Sequence, residues 1–426
     1  MKGFTHRGRG WFVVLAAAAV ATTAARWAPG GVGWRAGPAA SGAVTAAAGS
    51  AAAADEPAGP PPPDGLVVAR SRGVTADVVA AVGGEWQTIV PASALAPAPD
   101  ADRRRSADVV FVAVSPGLSR AALTVLHCAP EGAEPADCRP RSYVYDRMSG
   151  HLEAPGDEAV PVGWLADGRL LVDAVSGGAR VFDPATGATG PVAGADADYT
   201  VGFGAGLAPG GGRIAYSTGA GEKVLDLATG TTVALAGIGS ADRTPWLAFS
   251  PDGTRVAVAR RLAVDVDDAA FDGLPWPSEI AVHDAVSGRR LAVVAPGDAP
   301  GGGRDLAPRW ARGGRELVFL RADRAGQGVD LFEPARVMRH DLATAVTTAV
   351  VDDVASRRDV VVPPTGDVAV WLEQSGTGAP RAMAVDLTTG RRGAVLPDDA
   401  AHRHTALAWA DPQAGDTPAA TAARER

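Results

Sequence analysis

Along most of the chain, apolar β-type residues alternate with small or polar ones in short runs: GRLLVDAV, GRIAYST, TRVAVAR, RELVFLR and DVAVWLE. A period of two over such short runs is the pattern of a strand, and apolar residues on both of its faces predict packing on both sides. Ahead of each run stands a tight-turn phrase: VAVSPG ending at Gly117, GWLADG at Gly168, GLAPGG at Gly211, AFSPDG at Gly253, RWARGG at Gly314 and VPPTG at Gly366. Behind each, after a loop of variable length, comes a second phrase: VYDRMSG ending at Gly150, VFDPATG at Gly187, VLDLATG at Gly230, VHDAVSG at Gly288, RHDLATA at Ala345 and AVDLTTG at Gly390. That second phrase predicts a hairpin turn in which the aspartate (Asp146, Asp183, Asp226, Asp284, Asp341 or Asp386) caps nearby amides and the glycine takes a positive φ. One unit therefore reads strand, tight turn, strand, loop, strand, Asp-x-x-Thr-Gly turn, strand. Radial repetition of such a unit predicts an all-β chain, a β-propeller of four-stranded antiparallel blades.

The run FSPDGTRVAVAR, Phe249 to Arg260, resembles the TolB-like and WD-repeat-like β-propeller families, and the likeness extends over roughly residues 66–413. The Gly-His and Trp-Asp dipeptides of WD repeats are missing at fixed places, which makes the TolB-like version the nearer comparison. The likeness does not include the α/β domain that precedes the propeller in TolB. At the chain's end, TALAWADPQ puts Trp409 where Phe249 and Trp310 stand in their units, while LVVARS, TADVVAAVGG and EWQTIV near the start lack a first strand. Joining the two ends predicts seven blades closed by N- and C-terminal strands, with six as the alternative, and leaves no open edge between first and last blade.

Composition adds a location. Lys2, His6, Arg7 and Arg9 precede WFVVLAAAAVATTAA, so residues 1–25 read as a signal peptide or N-terminal anchor, too short for an ordinary spanning helix. Residues 26–64 are an Ala/Gly/Pro-rich linker, residues 65–413 the propeller and residues 414–426 a disordered tail. The expected location is extracytoplasmic, secreted or tethered by the N-terminal segment, with membrane contact only through an uncleaved leader. In that oxidising setting Cys128 and Cys138 are expected to form a disulfide across a short loop, two free thiols being the alternative. A net charge of −8 argues against a nucleic-acid partner.

Candidate chemistry is sparse. The six turn aspartates are equivalent by position, which makes them structural caps rather than a catalytic ring. His283 and His340 occupy a position filled by Tyr145, Phe182, Leu225 and Val385 in other units, so both read as packed side chains. His402 and His404 alone do not make a zinc site, and the glycine clusters Gly210 to Gly212 and Gly301 to Gly303 lie between strands, unlike phosphate loops. No cofactor and no metal is expected. The stretch Arg260 to Glu279 carries Asp265, Asp267, Asp268 and Asp272 without EF-hand spacing, together with Phe271 and Trp276. Loops that leave the tight-turn norm carry function, so Cys128 to Cys138, Arg260 to Glu279 and Ala322 to Arg336 are expected to crowd one rim of the channel. There Phe271 and Trp276 would anchor a partner, with Asp265, Asp267 and Arg324 as polar contacts. The expected function is an exported, non-catalytic binding or scaffolding module, monomeric, with a protein or glycan partner in the envelope. The alternative is a propeller enzyme such as a polysaccharide lyase or hydrolase using channel-mouth carboxylates. The G-x-S-x-G hydrolase domain that accompanies prolyl oligopeptidase-type propellers is missing.

Overall fold

A computed structural model of the chain describes residues 60–72, 75–95, 106–128, 139–155, 159–174, 178–194, 200–201, 206–218, 220–238, 246–262, 278–295, 304–322, 332–374, 379–396 and 402–411. The alternating runs are strands, and they group in fours. β1 (Leu66–Arg72), β2 (Thr75–Val82) and β3 (Glu85–Val90) make up the first group with the last strand of the chain, β27 (Arg403–Trp409). The next joins β4 (Ser106–Val114), β5 (Arg120–Cys128), β6 (Arg139–Asp146) and β7 (Leu152–Glu153), and another β8 (Ala159–Trp164), β9 (Leu170–Ala174), β10 (Gly178–Asp183) and β11 (Ala188–Pro191). β12 (Thr200–Val201), β13 (Arg213–Thr218), β14 (Gly221–Asp226) and β15 (Thr232–Ala234) follow. The remaining 11 strands are connected into one sheet. It begins with β16 (Leu247–Phe249), β17 (Arg255–Arg261), β18 (Ser278–Asp284) and β19 (Arg290–Val294). It continues through β20 (Arg304–Ala311), β21 (Glu316–Ala322), β22 (Phe332–Asp341) and β23 (Val346–Val361) to β24 (Val368–Glu373), β25 (Arg381–Asp386) and β26 (Arg392–Ala394).

Period-two alternation explains why these sheets stack. On β21, Leu317 and Phe319 join Trp310 of β20 in a core with Ile280 and Val282 of the preceding group, while Val318 and Leu320 enter another with Trp371 and Val385 of the following one. The same split recurs on β24, where Ala369 and Trp371 face back and Val370 and Leu372 face Leu66 and Val68. Val67 and Ala69 of β1 then pack on Val109 and Leu123, so the last group meets the first and the first meets the next. A fully buried Leu, Val or Phe contributes roughly 2 kcal/mol, whereas an exposed ion pair contributes about 0–1 kcal/mol. Apolar faces, rather than surface pairs such as Arg169–Asp167, therefore hold neighbouring sheets together. The arrangement is propeller-like.

The two chain ends share one sheet. β27 pairs antiparallel with β1 from Leu66↔Trp409 to Ser71↔Arg403, and beyond it the Gly117 amide donates to Asp411 O at 2.9 Å. Residues 60–64, the end of the expected linker, lie against this sheet: Trp409 Nε1 donates to Asp64 O at 2.8 Å and Gly83 N to Asp64 Oδ1 at 2.8 Å. The expected leader, the rest of the linker and the tail lie outside the described residues. β23 does what the repeat alone did not indicate. Its 16 residues contain no Gly or Pro to break them, so one strand closes the β20–β22 group and runs on to pair through Val360 and Val361 with β24.

Candidate functional site

The short turns occupy one end of the sheets and use up their polar groups there. Asp146 Oδ1 accepts from the amides of Met148 and Ser149, both at 3.0 Å, and Asp226, Asp284, Asp341 and Asp386 each take two amides in the same way. Asp183 accepts from Ala185 N at 2.9 Å. Those amide bonds hold the carboxyls of Asp226, Asp284, Asp341 and Asp386 below the ordinary carboxylate range. Neighbouring first turns are also stitched together: Arg213 Nη1 donates to Gly253 O at 3.2 Å, and Arg255 Nη2 to Gly314 O at 2.7 Å while lying 4.7 Å over the Trp310 ring. A Cβ on Gly366 would sit 1.9 Å from Arg312 N, so this end is packed backbone against backbone.

The opposite end is where β5, β17 and β21 hand over to β6, β18 and β22. Here a row of charges crosses from one four-stranded group to the next. Asp305 on β20 stands opposite Arg321 on β21, which stands opposite Arg336 on β22. Asp305 has 0% exposure, and Arg321 grips both of its oxygens, Nε to Oδ1 at 2.7 Å and Nη2 to Oδ2 at 2.8 Å. From there Arg321 Nη2 reaches across the seam to Ala295 O at 3.1 Å, and Ser278 Oγ donates back to Asp305 O at 2.8 Å. Arg260 and Glu279, paired at 2.5 Å, continue the row on β17 and β18. Burial pushes the Asp305 carboxyl up to about 6, against the pull of Arg321 and Arg336. Two residues on, Ala307 has φ 50° at a bulge between Leu306 and Arg309, where Pro308 has no N–H to pair.

A carboxyl near pH 6 in a cleft is a general-acid candidate, but geometry decides first. Asp305 is covered and both its oxygens are engaged, so it offers nothing to a substrate. It is a joint between sheets. The histidines are likewise committed: His404 Nδ1 accepts from Ala382 N at 2.7 Å, and His340 Nδ1 lies 2.8 Å from Thr347 Oγ1. His283 is fully buried with Nδ1 3.3 Å from Gly288 O, and burial lowers the pKa of both His283 and His340. Among the described residues no three His, Cys, Asp or Glu gather to hold a metal.

Phe271, Trp276, Asp265, Asp267 and Arg324 lie outside the described residues, as does Cys138, so the expected binding residues and the disulfide rest on sequence alone. What the structure does give is their anchorage, since β17 and β18, and β21 and β22, hold the two ends of those stretches above the charge row. Sequence reasoning missed Asp305 and Arg321. The one available signal was an acid inside the apolar run RDLAPRW, but its partner follows only from the register between β20 and β21.

No sequence profile of a known protein family matches the chain, and no curated protein does. Among solved structures, TolB from Acinetobacter baumannii is similar at 12% identity over 77% of this chain, with a TM-score of 0.40, and the Dos1 propeller at 12% identity over 70% of this chain and 72% of that one, with a TM-score of 0.43. The chain resembles TolB-like β-propellers. It spans 62% of the length of that TolB structure. An oligogalacturonate lyase in complex with manganese is similar at 13% identity over 79% of this chain and 87% of the lyase, with a TM-score of 0.48. Among the described residues no helix is long and apolar enough to cross a membrane.

Proposed function

We propose that the chain is an extracytoplasmic, seven-bladed β-propeller, secreted or tethered by its N-terminal segment, that binds a protein or glycan partner and performs no chemistry of its own. The count follows from taking β23 as the fourth strand of one blade and the first of the next, with β27 as first strand of the blade containing β1 to β3. The observation that carries the binding role is the division between the two ends of the sheets. At one end, tight turns spend their aspartates and glycines on each other. At the other, β5, β17 and β21 are joined to β6, β18 and β22 by the longer stretches 129–138, 263–277 and 323–331. Phe271 and Trp276 are the anchors in this reading, because aromatic side chains concentrate binding energy at interfaces. Asp265, Asp267 and Arg324 supply polar contacts, and a Cys128–Cys138 disulfide staples the third loop, worth about 2–3 kcal/mol on the chain-entropy account. The module works as a monomer.

The test uses the full chain to capture a partner from an envelope fraction, followed by affinity measurement with the double variant Phe271→Ala, Trp276→Ala. Affinity should fall at least tenfold while the melting temperature stays unchanged. Unchanged affinity would place the site elsewhere, and loss of the fold would make these side chains core.

A further inference from the structure

Five large apolar side chains are exposed among the described residues, and three of them, Val286 at 61%, Leu291 at 41% and Val293 at 39%, lie on the β18–β19 hairpin. Single cases such as Met148 and Val346 are ordinary on a protein surface, whereas a group on one hairpin is a candidate contact. β19 is the outermost strand of its group. It pairs with β18 alone, so among the described residues the backbone groups along its other side have no partner strand. Ala292 and Val294 turn into the core that holds Trp310 and Met338, and Val293 between them turns outward. Leu291 is the extra residue of a bulge, skipped between the pairs Ala292↔Val282 and Arg290↔His283. The neighbouring group covers little of this strand. Its outer strand β15 has three residues and ends against the hairpin turn, where Ala236 N donates to Gly288 O at 2.9 Å and a Cβ on Gly288 would lie 2.0 Å from Ala234 O. Past that point Leu235 and Ile238 are buried in the core between the two groups rather than laid along β19.

Charge decides what kind of strand fits. Arg289 and Arg290 stand exposed at the start of β19, on a chain whose net charge is −8. Asp284 lies across the turn from Arg289, and Arg260 is held by Glu279 and by Gly237 O. Arg290 is left without an acid partner among the described residues, its Nη1 3.4 Å from where a Cβ on Gly237 would stand. We infer that the outer edge of β19 docks an extended acidic segment of a partner protein, which adds as a further strand, rests apolar side chains on Leu291 and Val293, and presents carboxylates to Arg290. In such an addition main-chain hydrogen bonds supply affinity and alternate side chains supply selectivity. Other outer strands are blunted: β7 has two residues, β15 and β26 three each, β11 ends in Gly190 and Pro191, β3 opens on Glu85, and β23 continues into the next group. This edge lies on the outer rim, apart from the long loops, so it stands or falls independently of the binding role proposed for them.

The probe is a capped, fluorescent octapeptide alternating Glu and Val, titrated against the full chain by anisotropy, with a Lys and Val octapeptide as control. The acidic peptide should bind at least about tenfold more tightly than the basic one, and Arg290→Glu should reverse that order. The double variant Leu291→Ser, Val293→Ser should weaken the acidic peptide at least about tenfold. The same peptide methylated on the backbone nitrogen of every second residue should not bind, because it cannot pair with a strand edge. Equal affinity for the acidic and basic peptides, or acidic binding that survives the double variant or the backbone methylation, would overturn the inference. So would a dimer of the unaltered chain in sedimentation that the double variant dissolves, or attachment to phosphatidylcholine vesicles that it abolishes, since a second copy or a lipid surface would then cover this edge. Should the double variant fail to fold, the methylated and unmethylated peptides on the unaltered chain decide.

Discussion

Ala345 stands where the other Asp-x-x-Thr/Ser turns have glycine, and it keeps their conformation. Its φ is 55°, against 69°, 68°, 67°, 70° and 72° at Gly150, Gly187, Gly230, Gly288 and Gly390. An L-residue in this region meets its own carbonyl through Cβ, a cost of about 1–2 kcal/mol that glycine avoids. The turn therefore imposes its backbone on a residue that resists it, because Asp341 still collects the amides of Ala343 and Thr344. Ala345→Gly should stabilise the protein by about 1 kcal/mol, seen as a raised melting temperature. The reverse change at Gly390, where a Cβ would touch nothing within 4 Å, should cost a similar amount through backbone conformation alone. An unchanged melting temperature in both variants would mean that the turn relaxes to another shape.

At the scale of the element, one strand serves two interfaces and one turn serves two sheets. Trp310 on β20 and Trp164 on β8 hold equivalent places, and their Nε1 atoms reach back to Ala248 O at 2.8 Å and Ala113 O at 3.2 Å on the preceding sheets. The first turns press together nearby: a Cβ on Gly211 would lie 2.4 Å from Ala166 N, and on Gly366 1.9 Å from Arg312 N, where only backbone can yield. Gly366→Ala combines that clash with a φ of 73° and should destabilise by at least about 3 kcal/mol. Thermal unfolding checks it, and a loss under about 1 kcal/mol would show that the turns can part without cost.

For the molecule as a whole, β27 ties first and last sheets. Arg403 Nη2 meets Asp108 at 2.7 Å on β4, while His404 takes the Ala382 amide on β25, so a single strand bonds to both neighbours of its own sheet. Ending the chain after residue 400 removes β27 and exposes an edge of β1 together with the flanks of two cores. The expected outcome is loss of cooperative unfolding or a large fall in melting temperature across the whole structure. A shortened chain that melts like the intact one would show that closure by β27 is dispensable.

Local chemistry is what the sequence by itself determined. Alternation fixed the strands, Asp-x-x-Thr-Gly and Ser-Pro-Asp-Gly fixed the turns, and the position of Trp409 in its phrase foretold the pairing of β27 with β1, because each depends on residues within one unit or on likeness between units. Tertiary structure decided the rest. That Val318 and Phe319 enter different cores, that β23 runs unbroken between two groups, and that Asp305 meets Arg321 and through it Ala295 all depend on register and on which sheet lies alongside. Register is a property of paired strands, and burial of a charge a property of the assembled seam, so neither is written in any single run of residues.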